Sequence, residues 1–190
     1  MLAQIATFVI DVAASFLVFL LLARFLFQWL RVPFRNPLGE FVIATTNWMV
    51  LPARRVMPSI GGWDLATLAL AWLAQALALY ALYAMRGWEF GSAPGTASAL
   101  LLVLALLDLV RYALYILMFA VVVQVVLSWV NPYTPLAPVF DAMTRPLLRP
   151  IRRYVPPVAN VDLSPLVLIV LLQVLLIPLA HLRGMVGGMF

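Results

Sequence analysis

The sequence contains no cysteine and no lysine, has a single histidine, and only 10% of its 190 residues are charged. Each scarcity excludes something. Without cysteine there are no disulfides, thiolate metal sites or thiol nucleophiles, and redox chemistry says nothing about compartment. One histidine, His181, cannot build a zinc site with no thiolate beside it, so neither metal nor cofactor is expected. The sequence holds no nucleophile–base arrangement, Walker loop or glycine-rich dinucleotide fingerprint, and no enzymatic activity is expected. No basic residue precedes Arg24, so the charged leading region of a cleaved signal peptide is missing and the first apolar run is expected to stay in the mature protein.

What the chain has in excess is apolar surface. Hydrophobic residues make up 66% of it and the mean hydropathy is +1.08, whereas a soluble domain is nearer half apolar and a quarter charged. A bilayer core of roughly 30 Å needs about 20 apolar residues to span it as helix. Two runs meet that test cleanly, Leu65 to Met85 and Leu163 to Leu182; two longer ones cover about Thr7 to Leu30 and Leu100 to Val130. The fold class expected is an all-α membrane protein with about four transmembrane helices.

Charge orients them. Arg31, Arg35, Arg54 and Arg55 lie between the first and second runs, and Arg145, Arg149, Arg152 and Arg153 between the third and fourth. The middle loop offers Arg86 against Glu89, and the tail offers Arg183. By the positive-inside rule both arginine-rich loops are expected in the cytoplasm of a bacterial inner membrane, with both termini outside. Nucleic acid is a poor reading of this basicity, because the arginines adjoin spans and no recognition module accompanies them. That every basic residue is arginine suits bidentate phosphate binding, although a G+C-rich coding bias produces the same excess.

The chain also repeats itself. With a shift of 98, Pro52, Arg54, Arg55 and Pro58 match Pro150, Arg152, Arg153 and Pro156, while Thr46, Asp64 and Gln75 match Thr144, Asp162 and Gln173. With a shift of 100, Trp29 matches Trp129. The units expected are residues 1–95 and 96–190. With two spans each they enter the membrane in the same direction and are parallel rather than inverted repeats. Within the loops, Leu38, Phe41, Val42, Thr45 and Met49 form one apolar stripe, with Glu40, Thr46 and Asn47 off it. Leu136, Val139, Phe140, Met143 and Leu147 form the second, with Asp141, Thr144 and Arg145 off it. Each stripe predicts an interfacial amphipathic helix, or alternatively a re-entrant hairpin, over about 38–50 and 136–148. Pro52 and Pro150 are expected to stop these helices, with the arginine pair presented just after.

The stretch SWVNPYTPLAPVFDAMTRPLLRPIRRYVPPVANVDLSPLVLIVLLQ closely resembles the YggT family of small bacterial and plastid membrane proteins. The first unit, from RFLFQWL to DLATLALAWLAQ, is similar to a more divergent copy, with Asp-Leu-Ala-Thr where the second has Asp-Leu-Ser-Pro. The resemblance implies an inner-membrane or thylakoid protein without established enzymatic activity. It also implies links to osmotic-stress tolerance, to cell or plastid division, and to haem attachment to a cytochrome b in plastids.

Candidate site residues follow. Arg54, Arg55, Arg149, Arg152 and Arg153 can bind anionic headgroups or an acidic partner surface, or serve as topology determinants alone. Asp64 and Asp162 stand just before a span, where a carboxylate caps the free N–H groups and can pair with an arginine of its own loop. Gln75 and Gln173 lie about 16 Å further along, near the midplane, where an amide bonds a neighbouring helix or lines a path. Asp108 and Arg111 can pair on one helix face and mark the outer interface, with Asp11 in the corresponding role; Arg24 is expected to snorkel toward the headgroups. The function these features suggest is a non-enzymatic scaffold or assembly factor at the cytoplasmic face. Its partners would be the bilayer, anionic headgroups, and other membrane proteins or a further copy of itself. The alternative is a small channel or transporter whose path passes Gln75 and Gln173.

Overall fold

The computed structural model describes residues 2–57, 62–85, 87, 94–155 and 162–188. The described residues form six helices in the order α1 (Leu2–Trp29), α2 (Pro37–Val56), α3 (Leu65–Met85), α4 (Pro94–Val130), α5 (Ala137–Tyr154) and α6 (Ser164–Gly187). Four of them, α1, α3, α4 and α6, are long and apolar enough to cross a membrane. The protein is an all-α, multi-pass membrane protein. At 1.5 Å per residue the 37 residues of α4 extend about 56 Å, well beyond a hydrocarbon core.

Both units share one plan. In the first, α1 packs on α3 and α2 lies against both; in the second, α4 packs on α6 and α5 lies against both. The units join through α3 against α4 and α1 against α4. Lipid tails are as apolar as leucine, so close approach of backbones replaces hydrophobic drive as the cause of packing. Small side chains supply it: Ala23, Ala66, Ala71, Ala105 and Ala120 are all buried at these contacts. Around them Val18, Leu21, Leu22 and Leu26 of α1 share one core with Ile116 of α4 and Val139, Phe140 and Met143 of α5.

Local chemistry fixes α2. Asn36 caps it by accepting from the Gly39 N–H at 2.9 Å, Pro37 occupies its first turn, Glu40 faces the positive end of the helix dipole, and Arg54 and Arg55 face the negative end. Gly39 is there because the turn before it returns closely: a Cβ would stand 2.5 Å from the Phe34 carbonyl oxygen.

The prolines do not stop these helices. Pro52 sits inside α2, and Pro146 and Pro150 sit inside α5. All three are exposed, so the carbonyl each leaves without an N–H partner faces outward, where water or headgroups can satisfy it. The arginine pairs therefore belong to the last helical turns rather than to the loops that follow. The faces differ too. Thr46 and Thr144, expected off the apolar stripes, are fully buried against the bundle, while Phe41 is exposed.

Candidate functional site

Three polar constructions sit in this apolar body, and each ties helices together. The first centres on Asp108 of α4, which is 1% exposed. Its carboxylate accepts from Arg183 Nε at 2.6 Å and Nη2 at 3.3 Å, from Gln75 Nε2 at 3.1 Å, and pairs with Arg111 Nη2 at 3.1 Å. Arg111 also lies over the Tyr112 ring, 5.4 Å from its centroid. An isolated carboxylate in so apolar a place would be prohibitively costly; two guanidinium groups and an amide make it tenable and leave the cluster with one net positive charge.

The expected pair of Asp108 and Arg111 forms, and the fold adds Arg183 and Gln75 to it. Val103 and Leu106, beyond Asp108 toward the Pro94 end, are exposed and apolar. Asp11 lies exposed on α1. The positions matching Asp108 and Arg183 in the first unit are Phe8 and Met85, so the cluster belongs to the second unit, with Gln75 reaching in from the first. Of Arg86 and Glu89 nothing is described; both lie outside the described residues.

The second construction pins the amphipathic helices. Arg24 of α1 is buried, not snorkelling: its Nη1 donates to Thr46 Oγ1 at 2.7 Å and to Asn47 Oδ1 at 2.9 Å. Thr46 in turn donates to the Val42 carbonyl at 2.6 Å. In the second unit Gln124 stands where the first has Arg24, and it meets the Thr144 hydroxyl. One polar side chain on the first span of each unit therefore holds one threonine of the helix beside it. The repeat alignment contained this signal, since Arg24 matches Gln124 and Thr46 matches Thr144, but a helical wheel assigns both threonines to the polar side.

The third is a pair of arginine–aspartate clamps. Arg54 holds Asp64 through Nη2 and Nε and also donates to Gln28 Oε1 at 3.1 Å. Asp64 accepts from the Thr67 hydroxyl and from its N–H at 3.3 Å, capping α3. Burial works to raise this carboxyl, but the bonds from Arg54 and Thr67 outweigh it and hold it below the ordinary carboxylate value. Arg152 Nε donates to Asp162 at 2.9 Å, and Asp162 accepts from the Ser164 N–H at 2.9 Å at the start of α6. Asp162 is likewise held low, its desolvation outweighed by Ser164 and Arg152.

The clamps share a plan but not a burial. The Asp64 side chain is 0% exposed and that of Asp162 40%. Gln28 and Thr67 complete the first clamp; the matching residues of the second are Ser128, too short to reach, and Pro165, which has no hydroxyl. Where those groups are missing there is a cavity of about 310 Å³, lined by Gln124, Val125, Ser128, Trp129, Arg152, Asp162 and Pro165. Arg55, Arg149 and Arg153 bond neither aspartate and are exposed. Gln75, expected to bond a neighbouring helix or line a path, is buried and bonds Asp108 of α4, while Gln173 is exposed on the far side of α6 and does not meet it. His181 is also exposed, and no group of three metal-ligating side chains occurs among the described residues.

Two helix–amphipathic helix–helix units, each with a clamp and a pinning threonine, define a multi-pass membrane protein built by tandem duplication. Comparison with known proteins gives the family. The CCB3/YggT family profile matches residues 3–85 and 103–183, one segment in each unit, and the chain belongs to that family. It is 31% identical over 185 residues to an uncharacterised protein of Pseudomonas aeruginosa, covering 96% of this chain and 92% of that one. It is 33% identical over 168 residues to a protein of Vibrio alginolyticus, covering 88% and 89%. It is 29% identical over 184 residues to the YggT protein of Escherichia coli K12, covering 96% and 93%. No solved structure matches.

Proposed function

We propose that this protein is a non-enzymatic membrane scaffold or assembly factor. It binds anionic headgroups and partner membrane proteins through the arginine-rich ends of α2 and α5, at the cytoplasmic face of a bacterial inner membrane. The observation that carries this reading is the division of labour among the arginines. Arg54 and Arg152 are committed to aspartates of the same chain, while Arg55, Arg149 and Arg153 project from helices that buried polar bonds hold in place. Each basic side chain near an anionic surface contributes about 1 kcal/mol of attraction. Cell division, osmotic-stress tolerance and assembly of a membrane cytochrome complex are the processes such a scaffold would serve.

The test is binding of the purified protein, in nanodiscs, to vesicles with and without anionic lipid and to solubilised membrane proteins. The triple change Arg55→Ala, Arg149→Ala and Arg153→Ala should abolish both interactions while leaving the helical content unchanged. Binding that survives the triple change would overturn the assignment of those arginines.

A second reading, a small channel or transporter, draws on the Asp108 cluster, because ionisable groups at membrane depth mark ion and substrate paths. Two findings count against the path through both glutamines. Gln173 does not face the cluster, and the Asp108 carboxylate is already met by three side chains. Potassium, sodium and proton flux in liposomes, abolished by Gln75→Leu, would establish transport and displace the scaffold.

A further inference from the structure

Gln173 is placed where an amide is costly. It lies nine residues past Ser164 and fourteen before Gly187, roughly 14 Å and 21 Å from the two ends of α6, and so within the hydrocarbon. Its side chain is exposed and makes no hydrogen bond to any described residue. In a soluble protein that would mean contact with water. Here the surrounding medium is lipid, which neither donates nor accepts, so an amide nitrogen and an amide oxygen both lack a partner. Its repeat counterpart shows the contrast: Gln75 is buried and donates to Asp108.

The surface around Gln173 has a pattern. Leu166, Val170, Gln173, Ile177, Ala180 and Gly184 follow one another at steps of four and three residues, and all six are exposed. This is the spacing of a seam between two helices crossing at about 20°. The stripe lies opposite the face that α6 buries within its own chain, formed by Ser164, Leu168, Leu172 and Leu179. Toward the far end it narrows to Ala180 and Gly184, four apart, and a Cβ added at Gly184 would meet nothing within 4 Å. A partner backbone can therefore approach there without obstruction.

We infer that α6 is the dimer interface of this protein, with Gln173 bonded to Gln173 of a second copy at the middle of the membrane. The occupant follows from the chemistry of the amide. Gln173 needs a group that both donates and accepts, at its own depth. A second copy related by a two-fold axis along the membrane normal supplies one automatically, because every residue on that seam meets its own equivalent at the same depth. A heterologous helix would need an independently matched polar group. This goes beyond the scaffold reading and does not depend on it, since the arginine-rich ends of α2 and α5 take no part.

The absence of cysteine makes the test direct. Single cysteines are introduced into the full-length chain as Leu166→Cys, Val170→Cys and Ile177→Cys on the seam, and as Leu171→Cys and Leu175→Cys off it. Each variant is oxidised in native membranes. The seam positions should give disulfide-linked homodimers and the others none. Uniform cross-linking, cross-linking confined to the off-seam positions, or adducts with a different protein would each overturn the inference. In detergent, Gln173→Leu should lower the association constant by about tenfold and Gln173→Asn by less. Gln173 is exposed and bonds no described residue of its own chain, so the helical signal of the monomer should be unchanged; an association constant unmoved by Gln173→Leu would remove the amide from the interface.

Discussion

Arg183 and Asp108 are 75 positions apart in sequence and 2.6 Å apart in space, and their pair joins the last helix to the middle of the fourth. With Gln75 on the same carboxylate, three of the four spans meet at one point. Replacing Asp108 by Asn should leave Arg111 and Arg183 facing each other without an anion. Removing one partner of a buried pair costs about 3–5 kcal/mol. Thermal melting followed by circular dichroism in detergent should show a large fall for Asp108→Asn. Adding Arg183→Met to that variant should cost less than the sum of the two, because the members of one network are not additive.

The pinning of α2 makes a second prediction. Thr46→Val removes an acceptor from the Arg24 guanidinium, which is 4% exposed and keeps Asn47 alone. Under-satisfying a buried charged donor costs about 1–3 kcal/mol. The loss should appear locally, as faster labelling of a cysteine placed at Val42 or Val50, both now buried.

The clamps give a pH dependence with a defined sign. The Asp64 and Asp162 carboxyls are held below their value in an unfolded chain. The stability they contribute is therefore fully present above the unfolded value of about 4, and is lost as pH falls through the lower folded values. Melting temperature should be flat from pH 7 to 5 and decline below about 4. Asp64→Asn should lower it at neutral pH and flatten the acid decline.

Ser128→Gln is predicted to act in the opposite direction from most substitutions. It restores to the second clamp the group that Gln28 supplies to the first, giving Arg152 another acceptor and filling part of the 310 Å³ cavity. A gain of about 0.5–1 kcal/mol is expected, read as a rise in melting temperature that disappears when Arg152 is changed to Ala.

Membrane orientation is the last prediction. Reporter domains fused after Met57 and after Val155 should report cytoplasm, and one fused after Gly87 the outside. A periplasmic signal from either of the first two would reverse the assignment.

The spans and the duplication were legible in the sequence because both are one-dimensional signals. Leu65 to Met85 is apolar without interruption, and Pro-x-Arg-Arg followed by Asp returns after 98 residues. The partners of Asp64 and Asp162 were within reach for the same reason, each lying ten residues from its arginine. Partners across the bundle were not. That Asp108 receives Arg183 from α6, and not Arg111 alone, depends on how four helices pack, which no periodicity encodes. Arg24 looked like an interfacial anchor because it sits five residues from Trp29; it is buried because α2 folds back over it and offers Thr46 and Asn47. The two glutamines show the limit most plainly, since equivalence in sequence did not carry equivalence of surroundings.

The length of α4 has a consequence for the membrane itself. A rod of about 56 Å cannot lie within a layer of about 30 Å at the tilts transmembrane helices adopt, up to about 40°. Trp129 and Val130, 76% and 77% exposed, stand at its end on the arginine-rich side. Because α3, α5 and α6 all pack on this one rod, a change in bilayer thickness that alters its tilt must alter the angle at which the second amphipathic helix is held. A dependence of labelling at Arg149→Cys and Arg153→Cys on lipid chain length is the expected outcome.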